Sequence, residues 1–289
     1  MRWTADTFKN VSRASKALTL SISWILYLIP FVFWYITFTI IIPLLPARTK
    51  PIVLTAEFWH VDNFLFGNAS EWWKGKYNVF LDFLAAVVYS IQGILPIIAF
   101  LVMVRCQRGS ELPKFVVVLG LVSFFSILTN ILVPVAPPWY IDVYCEKIKH
   151  INISDYRDIP VKIDNLCFEA TYNVSGNAAG LKRTDYYLGF DIFNSVYKTN
   201  KNVCGSFPSL HVGWPCVLLV FSSHRWELLL GIIHVSLASW AAVYLRHHYV
   251  LDIVGAIVYT FVVFAIVTGI EHATLSTSKK KTMFEFHTL

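Results

Sequence analysis

The chain has 289 residues, 56% of them hydrophobic, and carries a formal net charge of +6. A soluble domain of this length has a more polar surface and fewer long apolar runs, so this composition excludes an ordinary soluble protein. The basic residues lie in short loops and tails, where membrane topology and anionic lipid headgroups account for them. The charge therefore does not indicate a nucleic-acid partner.

Several apolar stretches reach the roughly 20 residues that a helix needs to cross a bilayer. We predict an all-α polytopic membrane protein with six transmembrane helices, in chain order 17–45, 79–104, 115–134, 208–221, 228–245 and 249–270. Residues 1–16 and 272–289 are predicted to be short cytoplasmic segments. Residues 17–271 are predicted to form one catalytic membrane domain with a long lumenal loop at 135–207.

Short segments rich in Lys and Arg set this orientation, because such segments stay on the cytoplasmic side. Three Asn-x-Ser/Thr sequons, which are glycosylation acceptors in the secretory pathway, all fall on the opposite face; they begin at Asn68, Asn152 and Asn173. In an oxidising lumen the loop cysteines could form one disulfide with one thiol left over, the candidates being Cys145, Cys167 and Cys204. The sequence thus predicts a multi-pass glycoprotein of a secretory-pathway membrane.

Residues 205–211 read Gly-Ser-Phe-Pro-Ser-Leu-His, and the fourth span begins within them. Proline is favoured in the first turn of a helix, so we expect Pro208 to begin the helix and to place Ser209 and His211 in its first turn. Unpaired backbone N–H groups there bind anions, and a hydroxyl with an imidazole beside them suits a phosphate. The alternative is a Ser-Pro start that only ends a loop and caps a helix.

A second histidine string lies at the start of the sixth span. His248 and Asp252 are four residues apart, so on a helix they share one face. A carboxylate on one imidazole nitrogen fixes the tautomer and leaves the other nitrogen as a nucleophile or base. The alternative is a buried pair that only ties helices together. Because the spans alternate in direction, both histidine strings begin at the same membrane face, and we expect them to converge on one lumenal site.

These strings resemble the second and third signature motifs of the type 2 phosphatidic acid phosphatase superfamily. A finer resemblance, to the fungal inositol phosphorylceramide synthases, rests on five strings in the family's order: Phe-Leu-Asp-x-Leu-Ala at 80–85, Ala-Pro-Pro-Trp-Tyr at 136–140, Gly-Leu-x-Arg-x-Asp at 180–185, the string at 205–211, and Tyr-Leu-x-His-His-Tyr at 244–249. The resemblance implies a lumenal catalytic site formed by His211, His248 and Asp252.

The chain departs from the superfamily in its cations. The usual first motif, a Lys and an Arg-Pro separated by six residues, is absent, and Ala242 stands where an Arg usually precedes the third motif. We expect another cation to bind the phosphate, with Arg183 as the first candidate and Lys182 and Arg246 behind it. A solvated loop charge is the alternative for Arg183.

Two further features of the matching strings have more than one interpretation. Asp82, near the start of the second span, could orient a site residue, bind a headgroup hydroxyl or cap a helix. The Pro137–Tyr140 string either ends the third span with interfacial aromatics or forms a wall of the lipid pocket.

The resemblance implies transfer of a phosphoinositol headgroup from phosphatidylinositol to a ceramide-like acceptor through a phosphohistidine, in the Golgi or ER. An accessory subunit is left open. No cofactor is implied, and the sequence has neither zinc-ligand spacing nor a carboxylate-rich magnesium site. One alternative is a lumenal phosphatase for lipid phosphates or polyprenyl pyrophosphates, with water as the acceptor. A catalytically inactive scaffold is disfavoured, because both histidines and the aspartate are present.

Overall fold

The computed structural model describes residues 32, 36, 54–67, 69–105, 111–144, 176–199 and 203–287, and over these residues it is helical, without a β-sheet. The helices are α1 Thr55–Phe66, α2 Ala69–Trp72, α3 Val79–Ile91, α4 Leu95–Arg105, α5 Leu112–Leu132, α6 Pro138–Tyr144, α7 Leu181–Leu188, α8 Ile192–Thr199, α9 Leu210–Val220, α10 Arg225–Tyr244 and α11 Val250–His287.

Three helices in the described part of the chain are long and apolar enough to cross a membrane: α5, α10 and the Val250–Thr274 part of α11. They correspond to the predicted third, fifth and sixth spans. Two shorter apolar helices, α3 and α9, lie within the predicted second and fourth spans. Apart from residues 32 and 36, the predicted first span, 17–45, and the N-terminal segment lie outside the described residues, so the six-span topology stays a prediction.

The predicted second span, 79–104, is interrupted in the structure. Helix α3 ends at Ile91, and α4 begins at Leu95 after a turn that contains Gly93. Pro96 explains the break, because proline has no N–H to donate to the carbonyl four residues earlier and its ring obstructs a continuing helix. Within the turn, the Gly93 and Ile94 N–H groups bond carbonyls three residues back, at 3.3 and 3.1 Å.

The expectation that Pro208 begins the fourth helix is wrong. Helix α9 begins at Leu210, and Ser209 is its N-cap residue with extended backbone dihedrals. The Ser209 N–H donates to the Asp252 carbonyl at 3.1 Å. The start of α9 is therefore bound to the first turn of α11 through the main chain.

Helix α9 packs against α5, α10 and α11. Its buried face contributes Val212 and Cys216 to a cluster with Val243 of α10 and Ile253 of α11. Close approach to α11 requires Gly255, because a Cβ there would lie 2.4 Å from Cε2 of Phe207. These contacts hold the segment that precedes α9 against the start of α11.

The end of α5 is joined to the same segment. Val135 and Gly205 form an isolated β-bridge, in which the Ser206 N–H donates to the Val135 carbonyl at 3.1 Å. The end of α5 and the starts of α9 and α11 consequently meet at one end of the helix bundle.

Candidate active site

The two histidine strings meet at this end of the bundle. His211 lies in the first turn of α9, and His248 lies in the turn between α10 and α11. Their ring centroids are 5.7 Å apart. The imidazoles are thus close enough to act on the same phosphoryl group.

The Nδ1 atom of His248 contacts two hydrogen-bond acceptors. The Asp252 Oδ2 atom lies 3.2 Å away and the Ser206 carbonyl oxygen 3.0 Å away. Because both partners accept, Nδ1 carries a proton, and in the neutral ring Nε2 keeps its lone pair. His248 is buried and lines a cavity. The lone pair on its Nε2 atom is therefore suited to nucleophilic attack.

The Asp252 carboxylate also accepts the Tyr249 N–H at 2.9 Å, and so caps α11, in whose first turn it lies. The predicted helical face shared by His248 and Asp252 is not what joins them, because His248 precedes α11. The contact forms because the Asp252 side chain, in the first turn of α11, points back along the chain to His248 Nδ1 and to the Tyr249 N–H.

Tyr89 of α3 stacks on His211, with ring centroids 3.7 Å apart and planes inclined by 17°. The His211 Nδ1 atom is buried and has no hydrogen-bond partner among the described residues. Tyr89 therefore fixes the plane of the ring, while one nitrogen stays available to a ligand.

A third histidine, His247, contacts the same tyrosine, with ring centroids 5.1 Å apart. Its Nε2 lies 3.2 Å from the Ala178 carbonyl, so Nε2 carries the proton. Burial, with a smaller contribution from His248, lowers the pKa of His247 to about 3, which keeps the ring neutral. Its position beside His248 in the sequence was a signal for this residue, whereas a tyrosine within an apolar span gave no signal for Tyr89.

A cavity of about 350 Å³ opens beside these rings. Its walls include Tyr89, Asn130, Pro137, Trp139, Trp214 and the three histidines. The wall interpretation of the 137–140 string thus agrees with the positions of Pro137 and Trp139. The cavity is mostly apolar, as expected for a site that admits lipid, and its ionisable side chains are concentrated around the histidines.

Asp82 and Arg183, by contrast, form a separate cluster. The Arg183 Nε donates to the fully buried Asp82 Oδ1 at 2.8 Å, and the Tyr244 hydroxyl donates to the same oxygen at 2.8 Å. The Arg183 guanidinium also stacks on Tyr77, 3.8 Å from the ring centre. Neither Asp82 nor Arg183 lines the cavity, so the structure does not bring this candidate cation to the histidines.

The other predicted phosphate-binding residues do not line the cavity either. Arg246 is buried in ion pairs with Glu71 and Asp142. Lys182 is exposed on α7. Ser209 is buried, and its hydroxyl has no partner within the described ranges. Among the described residues that line the cavity there is neither Lys nor Arg.

The N-terminus of α9 supplies positive potential to the site, because His211 lies in its first turn. The first backbone N–H groups of a helix and its dipole together favour an anion. No group of three or more His, Cys, Asp or Glu side chains in the part of the chain that the structure describes is arranged to hold a metal ion.

The family model described as the PAP2 superfamily matches residues 56–266, and the chain belongs to this superfamily. The matched region contains α1 to α10, both histidine strings and the beginning of α11.

Curated relatives include two fungal proteins and a bacterial one. The chain is 28% identical to the inositol phosphorylceramide synthase catalytic subunit of Schizosaccharomyces pombe over 81% of this chain and 52% of that protein. It is 25% identical to the corresponding subunit of Saccharomyces cerevisiae over 76% of this chain and 50% of that protein. It is 27% identical to the phosphoinositol dihydroceramide synthase of Bacteroides thetaiotaomicron over 68% of this chain and 58% of that protein. The chain thus spans about half the length of the curated relatives that it matches, and no solved structure matches it.

Proposed function

We propose that the chain transfers the phosphoinositol headgroup of phosphatidylinositol to the primary hydroxyl of ceramide, giving inositol phosphorylceramide and diacylglycerol. The carrying observation is the proton arrangement at His248, whose Nδ1 is bound by Asp252 and the Ser206 carbonyl while His211 lies beside it. The names of the relatives support phosphoinositol as the transferred group and a ceramide as the acceptor.

In the first step, Nε2 of His248 attacks the phosphodiester phosphorus. The bond from phosphorus to the diacylglycerol oxygen breaks, and a protonated His211 gives its proton to that oxygen. Phosphoinositol is then bound to His248 as a phosphohistidine. Acid–base help from a positioned histidine contributes ~10²–10⁴-fold to the rate.

In the second step, His211 is neutral and acts as a base. It takes the proton of the ceramide primary hydroxyl, whose oxygen attacks phosphorus, and the bond from phosphorus to Nε2 breaks. His248 is regenerated and His211 is protonated again. Two displacements at the same phosphorus replace one difficult exchange between two lipids.

The N-terminus of α9 is the proposed binding group for the phosphate charge. Arg183, Lys182, Arg246, Ser209 and Asp82 remain candidates for binding the headgroup, with Arg183 requiring release from Asp82 before it could contact a phosphate. The proposed setting is a Golgi or ER membrane with the cavity on the lumenal side. Glycosidase-sensitive modification of the sequon asparagines, which lie outside the described residues, would support that orientation.

The test uses purified protein with phosphatidylinositol labelled in its headgroup phosphate, with and without ceramide. We expect label in a ceramide product for the wild type, and loss of that product in His248→Ala and His211→Ala. His272→Ala is the matched control, because His272 is exposed on α11. Label released only as water-soluble inositol phosphate would instead identify a hydrolase.

The covalent intermediate has its own readout. Without ceramide, a rapid quench should trap label on the wild-type protein in a bond that is stable to base and labile to acid. Adding ceramide should discharge it. Transfer to ceramide with no trapped label at any quench time would contradict the phosphohistidine step.

A further inference from the structure

We propose that Asn130 recognises the amide and the neighbouring hydroxyl of the acceptor lipid, and so selects a sphingolipid over a glycerolipid as the acceptor. This inference rests on the proposed transfer reaction and names a residue that determines its specificity.

Asn130 lies near the end of α5 and lines the same cavity as His211 and His248. Asn130 is 6% exposed, and its Oδ1 atom is buried without a hydrogen-bond partner in the ranges that the structure describes. Polar groups inside an apolar span are costly unless they are paired, and such residues usually face a functional cavity.

Other polar groups on this face of α5 are satisfied. Ser123 and Ser126 donate to carbonyls of their own helix, at 2.8 and 2.7 Å. The Trp214 indole N–H, from another cavity wall, donates to the Ser123 hydroxyl at 3.1 Å. Residues 123, 126 and 130 follow helical spacing along one stripe, and Asn130 is the member whose side-chain oxygen has no hydrogen-bond partner among the described residues.

The chemistry of the two lipids decides which one supplies that donor. The ester linkages of a glycerolipid backbone present acceptors only, whereas ceramide presents an amide N–H and a hydroxyl. A carboxamide side chain, with one acceptor oxygen and two N–H donors, can pair with an amide on both sides.

The inositol ring of phosphatidylinositol also carries hydroxyls that could donate a hydrogen bond to Asn130. The position of Asn130 nevertheless favours the acceptor lipid as its partner. The ceramide amide lies on the carbon next to the one that carries the reacting hydroxyl, at the border between the reaction centre and the hydrocarbon chains. Asn130 occupies the same kind of border, because it shares the cavity with His211 and is followed on α5 by only two residues.

The test compares Asn130→Leu with wild type, using ceramide and N-methyl ceramide as acceptors. Losing one buried hydrogen bond corresponds to about a tenfold change in an equilibrium constant, so the KM for ceramide should rise about tenfold in the variant. The KM for phosphatidylinositol should stay within about twofold. Ser126→Ala is the matched control, because Ser126 lies one turn earlier on α5 and its hydroxyl is already bonded.

N-methyl ceramide separates a lost hydrogen bond from a general disturbance of the pocket. Wild type should use N-methyl ceramide about tenfold less well than ceramide. Asn130→Leu, which has already lost this hydrogen bond, should use the two acceptors equally well. The wild-type comparison needs no variant, so a misfolded Asn130→Leu protein does not remove the test.

Several results would overturn the inference. They are an unchanged KM for ceramide in Asn130→Leu, equal use of both acceptors by wild type, and a larger rise in the KM for phosphatidylinositol, which would assign Asn130 to the inositol ring. If wild type forms a ceramide product and these results appear, this inference alone fails. If wild type forms no ceramide product, the proposed function fails and this inference with it.

Discussion

Replacing Asp252 by Asn tests what the charge of the Asp252 carboxylate contributes to the reactivity of His248. The carboxylate oxygen Oδ2 lies 3.2 Å from His248 Nδ1 and also accepts the Tyr249 N–H at 2.9 Å. Because one carboxylate oxygen makes both contacts, an amide whose oxygen takes the Oδ2 position keeps both of them, and the substitution removes only the negative charge. In the proposed mechanism the ring of His248 becomes cationic once Nε2 binds phosphorus, and a neutral amide stabilises that cation less than a carboxylate does.

The size of the effect follows from the second acceptor. In a serine-protease triad, the corresponding change costs ~10⁴-fold in kcat. Here the Ser206 carbonyl oxygen, 3.0 Å from Nδ1, still favours a proton on that nitrogen. We therefore expect Asp252→Asn to lower kcat by ~10²–10³-fold, and His248→Ala to lower it further, to background.

The assay is the transfer of labelled phosphoinositol to ceramide by purified protein under saturating substrates. Glu271→Gln is the matched control, because this substitution also exchanges a carboxylate for an amide on α11. The Glu271 carboxylate lies on the surface beside Lys114. A kcat for Asp252→Asn within about threefold of wild type would refute the role assigned to the Asp252 charge.

Three further predictions concern contacts around the site. Tyr89→Leu should lower kcat ~10-fold or more, because His211 loses the ring that fixes its plane, whereas Tyr89→Phe should retain most activity in the same assay. Arg183→Met leaves the fully buried Asp82 carboxylate without its cation, and should lower the midpoint of thermal unfolding by roughly 5–10 °C. Burial raises the pKa of Asp62 to about 6 in the folded protein, above its ordinary 3.8, so stability increases as pH falls from about 6 towards 4. Asp62→Asn should therefore unfold at a higher temperature than wild type at pH 7.5, with the difference shrinking at pH 5.

Each of these has an outcome that contradicts it. Equal activity in the leucine and phenylalanine variants of Tyr89 would mean that stacking does not position His211. An Arg183→Met protein that unfolds like wild type but has lost activity would indicate contact with the phosphate instead of support for the fold. A constant difference between Asp62→Asn and wild type across the pH range would mean that Asp62 does not titrate in it.

Local spacing explains why the sequence predicted the meeting of His211, His248 and Asp252. The histidine–aspartate contact is made over four residues, and the predicted alternation of the spans placed the two strings at one face. The break at Gly93 had a local signal in Pro96, but a long apolar run concealed it. Pro208 was placed in the helix because its preference for a first turn does not distinguish a first turn from the residues just before it.

Long-range pairing explains what the sequence could not predict. Arg183 binds Asp82, which is 101 positions away, and no local pattern ranks that partner above a phosphate. The stacking of Tyr89 on His211 and the unpaired oxygen of Asn130 depend on how separate helices pack. A single residue in an apolar run carries no trace of such packing.

The hydrogen bond from the Ser209 N–H to the Asp252 carbonyl sets how freely this protein can be re-engineered. It joins the backbones that carry His211 and Asp252, and it uses no side chain. We therefore expect substitutions in the cavity wall, at Trp214 or Trp139 for example, to leave the spacing of His211 and Asp252 intact. For the proposed function, we expect that acceptor preference can be redesigned separately from phosphoryl transfer, with the wall as the variable part and the joined helix starts as the fixed one.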